Sequence, residues 1–216
     1  MLLTAALHLA AVIVVLLITW GISINSFDAQ EKVETFLGKI STTASVPKCR
    51  LSRLCPPQHF ALHIRSGAAN VVGPNICFDG KIHVLNNVGP GLNIVVVNGD
   101  LSTMVIFFLL KIKDPEDILA YLKEIKPGMI VLVASFDDVT KKMTDEMREI
   151  FVGMGSALIK SVKHRDSWVF AGRAGAKSKS LFEKVSEPKT NIYEGWPEMV
   201  EVAGCFPRNQ TDRLTD

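Results

Sequence analysis

The sequence predicts an α+β domain in which helices pack outside a mixed sheet. Two continuous β-branched runs, 92–97 and 129–134, have the composition of strands buried on both faces. Two amphipathic segments, 114–125 and 144–154, have the apolar spacing and terminal residues of helices. Because strands and helices do not follow a strict βαβ alternation, the pattern favours a mixed rather than a purely parallel sheet.

Composition limits the class of protein. The chain has 216 residues, 48% hydrophobic content and a formal net charge of +2, which fits one ordinary domain with an appendage. This excludes a disordered tail, a collagen-like chain and a multi-pass membrane protein. The small net charge and 7% aromatic content also give no reason to expect a nucleic-acid partner.

The first segment, 1–26, carries no Asp, Glu, Lys or Arg and is long enough to cross a bilayer. We interpret it as a signal peptide or a signal anchor, with a weak cleavage site before Phe27. Either function places the rest of the chain outside the cytosol. If the segment is cleaved, no stable membrane span remains.

Three further regions follow. Residues 27–48 are polar without a sustained period and predict a linker, 49–207 form the globular domain, and 208–216 form a polar tail. The tail begins with an acceptor sequon at Asn209, which makes that residue a candidate glycosylation site.

Four cysteines lie within the domain, at positions 49, 55, 77 and 205. An even number behind a secretory segment predicts two disulfides, and their spacing does not suit a zinc site. Three pairings are open from the sequence alone.

The first half of the domain predicts strands. His59 to Arg65 alternates weakly, and a short strand covers 76–78 after the Gly73-Pro74 turn. A turn cluster at 86–91 precedes the buried run 92–97. Asn98-Gly99 is then a hairpin signal whose second strand would be 104–112.

The second half predicts helices between strands. Asp114 and Pro115 begin the first helix, which ends at Pro127-Gly128, and Thr144 or Asp145 caps the second. After the glycines at 153 and 155 we expect a third helix over 157–162 and a strand over 168–171. A short helix over 180–185 completes the prediction.

Two motifs are weak signals for chemistry. His59 and His63 lie four residues apart, but no third ligand or base is adjacent, so two strand histidines are favoured over a metal pair. The segment 172–178 contains glycines and a lysine without the spacing of a phosphate loop, which favours a basic surface loop. We therefore expect no metal, no cofactor and no catalytic residue, and the chain is not predicted to be an enzyme.

Two other motifs are candidate contacts for a ligand or a partner. Asp137 and Asp138 follow a buried strand, where side chains are presented from a rigid scaffold, although acids there also suit a helix N-terminus. Tyr193 and Trp196 lie in a proline-bracketed loop and offer stacking faces for a sugar or a protein. A tryptophan that fills the core is the alternative for Trp196.

Several strings together carry a family resemblance. In chain order they are 66–74 (SGAANVVGP), 76–78 (ICF), 86–89 (NNVG), 91–94 (GLNI), 136–138 (FDD), 165–170 (RDSWVF), 193–198 (YEGWPE) and 204–205 (GC). The sequence resembles the family with sequence similarity 3, which includes pancreatic-derived factor and interleukin-like epithelial–mesenchymal transition inducer. The phenylalanine after Cys77 and the Val-Ala-Ser-Phe run resemble member D most.

The resemblance implies two small antiparallel sheets packed face to face in a ββα-type sandwich with peripheral short helices. It also implies disulfides between Cys49 and Cys77 and between Cys55 and Cys205. The family consists of secreted, cytokine-like signalling proteins that act in metabolic, secretory or epithelial regulation. Similar domains bind carbohydrate in the stem of an O-mannose glycan N-acetylglucosaminyltransferase.

From the resemblance we expect a secreted, extracellular protein that acts on a cell-surface receptor as a monomer or homodimer. A lectin-like module that binds a glycoconjugate is the alternative. The sequence departs from the family pattern at Pro90, where an arginine is usual, and at 105–110, where a polar motif is usual. These departures affect polar positions, so the fold is better supported than a shared ligand groove.

Overall fold

The computed structural model divides the chain into two compact units, Met1–Val46 and Pro47–Asp216. It describes residues 16, 46–86, 90–98, 104–108, 115–186 and 195–209, and the structural statements below concern these residues. Apart from Leu16, the predicted signal segment lies outside them, as does most of the linker. Among the helices of the described residues, none is long and apolar enough to span a bilayer.

The second unit contains nine strands and two α-helices among its described residues. Its strands and helices, in chain order and within the described residues, are β1 His59–Arg65, β2 Asn75–Phe78, β3 Lys81–Leu85, β4 Gly91–Val97, β5 Met104–Phe108, α1 Pro115–Glu124, β6 Ile130–Phe136, α2 Asp145–Gly153, β7 Ser167–Arg173, β8 Phe182–Ser186 and β9 Glu201–Pro207.

The strands form two sheets. The smaller sheet has the order β3-β2-β1-β9, and the larger sheet has the order β5-β4-β6-β7-β8. All of the described strand pairs are antiparallel, so the expectation of a mixed sheet was wrong. The antiparallel arrangement is the one that the family resemblance implies.

The two sheets pack face to face, and the helices cover the far side of the larger sheet. Phe60, Leu62 and Ile64 of β1 belong to one apolar cluster with Leu132 of β6 and Val169 of β7. Alternate residues of the larger sheet join a second cluster with α1 and α2. The expected α+β sandwich of two antiparallel sheets with peripheral helices and two disulfides is confirmed.

The three layers explain why the central strands lack alternation. Both faces of the larger sheet are covered, and every residue of β6 and β7 is buried. A strand buried on both faces needs apolar side chains at consecutive positions rather than at every second one. The predicted strands at 92–97 and 168–171 lie within β4 and β7, and the predicted strand at 129–134 overlaps β6 from Ile130 onward.

The predicted helix ends correspond to observed ones. The helix α1 starts at Pro115 and ends before Pro127-Gly128, although Asp114 lies outside the described residues. Thr144 caps α2, because its side chain accepts a hydrogen bond from the Met147 amide at 3.2 Å.

Two helix predictions were wrong. Residues 157–162 form only a 3₁₀ turn at Ile159–Ser161, and residues 180–185 belong largely to strand β8. The two segments are in contact, because Glu183 of β8 accepts hydrogen bonds from the amides of Ala157 and Leu158. Strands β3 and β9 were not predicted.

The hairpin after Asn98 is partly described. Strand β5 pairs with β4 in antiparallel register, with Val97 opposite Met104. Gly99 of the predicted turn and residues 109–112 of the predicted strand lie outside the described residues.

Two disulfides fasten the start of the domain to the smaller sheet. Cys49 is bonded to Cys77 on β2, and Cys55 is bonded to Cys205 on β9, which is the pairing that the resemblance implies. The first bond lies in a buried cluster with Ala61. The second joins residues 150 positions apart and ties the beginning of the domain to its last strand.

Candidate functional site

Four loops meet at one end of the sandwich, and we call this surface the loop end. It consists of residues 66–73, 137–140, 163–166 and 196–200. The Gly67 amide donates to the Ser135 carbonyl at 2.8 Å, and the Asp137 amide donates to the Ala69 carbonyl at 3.1 Å. A Cβ on Gly67 would lie 2.6 Å from the Phe136 ring, so only glycine permits this approach.

Asp138 holds two of these loops together. Its Oδ1 accepts hydrogen bonds from the Thr140 amide at 3.0 Å, the Thr140 hydroxyl at 2.7 Å and the Arg165 amide at 3.3 Å. Its Oδ2 lies 2.6 Å from His164 Nδ1. Burial alone would raise the pKa of the Asp138 carboxyl, but these hydrogen bonds and the His164 charge outweigh burial and lower the pKa below its ordinary value.

The buried position of Asp138 decides its function in the site. The residue is 2% exposed and its carboxylate faces protein donors. We therefore assign Asp138 to positioning the loops, whereas direct ligand contact stays a prediction for Asp137, Tyr193 and Trp196.

The turn at 163–166 is built by a second buried carboxylate. Asp166 Oδ2 accepts from the Lys163 amide at 2.7 Å, and the Asp166 amide donates to the Lys163 carbonyl at 3.1 Å. Arg165 between them has φ +64°, in the left-handed region. The turn therefore presents the His164 and Arg165 side chains beside the Asp138 loop.

Arg165 also connects this turn to the tryptophan loop. Its guanidinium carbon lies 4.6 Å from the centre of the Trp196 ring, within the range of a cation–π contact. Trp196 is half-buried. The two candidate motifs of the sequence, Asp137-Asp138 and Trp196, are thus linked through Arg165.

Asp137 lies at the surface of the same end. It is half-buried and has φ +55°, a conformation that Asp tolerates better than most residues. Tyr193, the other predicted contact, lies outside the described residues.

The remaining candidates lie elsewhere. Nδ1 of His59 lies 3.2 Å from the Pro57 carbonyl oxygen, and Nε2 of His63 lies 3.0 Å from Glu201 Oε2. Within the described part of the chain, no group of three or more His, Cys, Asp or Glu side chains is arranged to hold a metal ion. Asn209 is exposed, and its glycosylation stays a prediction.

Thr140, His164 and Arg165 were not among the predicted site residues. The Asp-x-Thr spacing from Asp138 to Thr140 is a signal for a side-chain-capped turn and could have indicated the first contact. The contact between Arg165 and Trp196 joins residues far apart in the sequence, and no local pattern predicts it.

We expect the Asp138 carboxylate to contribute a pH-dependent part of the stability. Because its pKa is lowered in the folded state, this contribution is complete above the unfolded pKa of about 3.9 and is lost as the pH falls through the folded pKa. Asp138→Asn should lower the free energy of unfolding at pH 7 by about 2 kcal/mol and flatten its acid slope. Urea unfolding across the acid range measures both effects.

Asp137→Asn is the matched control, since it removes the neighbouring, half-buried carboxylate. An equal loss of stability in the two variants, or an unchanged acid slope in Asp138→Asn, would contradict the positioning function of Asp138.

The fold and the loop end define a class: a disulfide-bonded ββα sandwich with a surface site built from loops. A family model described as Interleukin-like EMT inducer matches residues 90–176. Protein FAM3D of Mus musculus is 46% identical over 74% of this chain and 75% of its own length. Protein FAM3C of Rattus norvegicus is 38% identical over 95% and 97% of the two chains.

Protein FAM3A of Pongo abelii is 44% identical over 76% of this chain and 74% of its own length. The chain belongs to the family with sequence similarity 3 (FAM3), a cytokine-like family, which confirms the family predicted from the motifs. Of these three relatives FAM3D has the highest identity, in agreement with the predicted likeness to member D.

Proposed function

We propose that this chain is a secreted, cytokine-like signalling protein that acts on a cell-surface receptor and has no enzymatic activity. The observation that carries the proposal is membership in the FAM3 family together with two disulfides in the domain. Disulfides persist in oxidising compartments, so they support an extracellular location. The segment 1–26 would serve as the signal peptide.

The loop end is the surface that we assign to the receptor. Trp and Arg side chains are enriched at the energetic centres of protein interfaces. Here Arg165 and Trp196 are in contact, and Val71 of the neighbouring loop is 74% exposed. Asp138 fixes the backbone of the Arg165 turn and so supports this cluster without contacting the receptor.

The experiment starts with protein recovered from the culture medium of expressing cells. A start near Phe27 and an intact mass four hydrogens below the reduced form would support secretion with two disulfides. This protein, once labelled, should bind responsive cells saturably. Trp196→Ala should weaken that binding about thirtyfold, because an interface anchor of this kind contributes about 2 kcal/mol.

Lys160→Ser is the control, since Lys160 pairs with Glu149 of α2 and is not one of the loop-end residues. Equal binding by Trp196→Ala and the unaltered protein would contradict the assignment of the loop end. Retention of the whole protein in cells, with 1–26 intact, would contradict a diffusible signalling ligand.

The second candidate is a carbohydrate-binding module. It is favoured by the aromatic ring of Trp196, the guanidinium of Arg165 and the nearby Asp137 carboxylate, which offer stacking and hydrogen bonding to a sugar. Glycosidase treatment of the cells separates the two candidates. Cell binding that survives it but is lost after mild trypsin treatment supports a protein receptor, and the opposite result supports a glycan.

A further inference from the structure

A buried histidine lies on an edge strand of the smaller sheet. His83 of β3 is 7% exposed. Neither of its ring nitrogens has a hydrogen-bond partner among the described residues, and both are shielded from solvent. A neutral imidazole carries one N–H group, and burying that group unpaired costs free energy. A polar side chain that is kept in such a place needs an explanation.

The pairing of β3 is irregular at this residue. Strand β3 is the first in the order β3-β2-β1-β9, so β2 pairs with one of its edges and no described strand pairs with the other. Ile76 of β2 lies opposite Val84, and Cys77 lies opposite Ile82, which leaves His83 as an extra residue without a partner on β2. Such a β-bulge interrupts the ladder of hydrogen bonds between the strands. His83 therefore lies where β3 is held least regularly.

Both ends of β3 are fastened to other segments. Before the strand, Asp79 Oδ1 lies 3.0 Å from Lys48 Nζ in an ion pair. After the strand, the Asn86 amide donates to the Pro74 carbonyl at 2.9 Å, and Asn86 Oδ1 accepts from the Gly73 amide at 2.8 Å. The middle of the strand can therefore separate from β2 while its two ends stay in place.

The charged side chains around His83 are mostly cations. Lys81 lies on the same strand, and Asp79, the acidic side chain of the β2–β3 hairpin, is already paired with Lys48. The other elements that contact the hairpin are β1, β6 and the 48–50 turn, and their described residues include no acid. Their charged or titratable side chains are Lys48, Arg50, His59, His63 and Arg65, of which His63 pairs with Glu201 of β9.

These surroundings favour the neutral ring. Burial first, and then the charge of Lys81, lower the pKa of His83 below its ordinary value. The Phe78 backbone acts in the opposite direction, but it makes no hydrogen bond of normal geometry with the ring. Protonation would add a charge and a second unpaired N–H group to this site. The protonated ring is therefore stable only after it has moved into water.

We propose that His83 is a proton sensor whose protonation opens strand β3. The middle of the strand, at the bulge, moves away from β2 while the two fastened ends stay in place, and the charged ring reaches water. Opening exposes Val84, which is fully buried in the closed strand, and leaves the edge of β2 unpaired. Histidine is the side chain whose charge changes in mildly acidic compartments such as endosomes. The proposal does not depend on the receptor assignment of the loop end.

The test is hydrogen–deuterium exchange of the full-length protein recovered from cells, at about pH 7.5 and about pH 5.5, with each rate divided by the intrinsic rate at that pH. The ring is neutral in the closed strand and has its ordinary pKa of about 6.5 in the open one, so acid favours opening below that value. The protection of the 81–85 amides should fall about tenfold at the lower pH, whereas that of β4 and β6 should not change. This window lies above the acid range in which Asp138 titrates.

Two variants and one control complete the test. His83→Leu puts an apolar side chain in the site, and His83→Gln a side chain that does not titrate, so both should remove the acid response. His59→Gln is the matched control, since it replaces a half-buried histidine of β1 and should leave the response of β3 unchanged. The proposal is overturned if the protection of 81–85 is the same at both pH values, if either His83 variant responds as the unaltered protein does, if His59→Gln abolishes the response, or if β4 and β6 lose protection equally.

Discussion

Replacing Cys55 and Cys205 together with alanine should lower the free energy of unfolding by about 5 kcal/mol. The bond closes a loop between residues 150 positions apart, and the chain-entropy cost of leaving such a loop open grows with its length. Urea unfolding of the purified double variant, followed by fluorescence, measures the loss. A loss of this size equals a large part of the stability of an ordinary domain.

The Cys49–Cys77 bond provides the matched comparison. Its residues are 28 positions apart, so its replacement by two alanines should cost about 3.6 kcal/mol by the same relation. Both half-cystines of this bond are buried, at 7% and 6% exposure, and some packing is lost as well. A clearly larger loss for this shorter loop would contradict a chain-entropy explanation and would indicate that packing in the Ala61 cluster dominates.

Glu183→Ala should lower the free energy of unfolding by about 3 kcal/mol. The substitution removes the acceptor for four donors: the Ser156 hydroxyl, the amides of Ala157 and Leu158, and Trp168 Nε1. Trp168 is fully buried, and a buried donor without a partner costs about 1–3 kcal/mol. Thermal or urea unfolding gives the value, and the fluorescence of Trp168 should report a local change.

Two controls accompany this variant. Glu183→Gln keeps one acceptor oxygen and should cost less than Glu183→Ala. Lys184→Ala changes an exposed neighbour on the same strand and should stay within about 0.5 kcal/mol of the unaltered protein. If Glu183→Ala were as stable as Lys184→Ala, the hydrogen bonds of Glu183 would not stabilise the 156–161 turn.

The strands and helices that were predicted correctly are those whose local residue pattern matches their burial in the folded domain. The β-branched runs of β4 and β6 are buried on both faces, and the helices α1 and α2 have terminal residues that satisfy their end groups. These elements need little information from distant residues. The pairing of the sheets and of the cysteines came from the family resemblance, because it depends on contacts between remote segments.

Strand β8 shows why other predictions failed. Leu181, Phe182 and Val185 recur at a spacing that suits one face of a helix. In the structure Glu183 turns toward the 156–161 turn, and the segment pairs with β7 through the register of Trp168 opposite Val185. Strand β9 was missed because its Ala203, Gly204 and Cys205 give no apolar alternation, although its pairing with β1 is the longest in the smaller sheet.

Only part of the candidate site was predicted, because some of its contacts join segments that are remote in the sequence. Asp138 and Trp196 were named from their local motifs, but the residue that joins them, Arg165, depends on a turn set by the Asp166 side chain. The carboxylate of Asp138 is buried by loops that come from separate parts of the chain. A site of this kind is assembled by the tertiary fold, so a sequence pattern identifies only some of its members.

The bond between Cys55 and Cys205 has a consequence for how the domain responds to mechanical load. Strands β1 and β9 are adjacent and antiparallel, with His59 opposite Pro207. Tension applied at the two ends of the domain therefore enters both strands at the same end of the smaller sheet. In the oxidised protein that tension passes through the covalent sulfur–sulfur bond and does not reach the β1–β9 pairs beyond Cys205, from Leu62 opposite Gly204 to Arg65 opposite Glu201. After reduction the same pull would separate β1 from β9 one residue pair at a time, which is the weakest geometry for a sheet, so extension under force would report the oxidation state of this single bond.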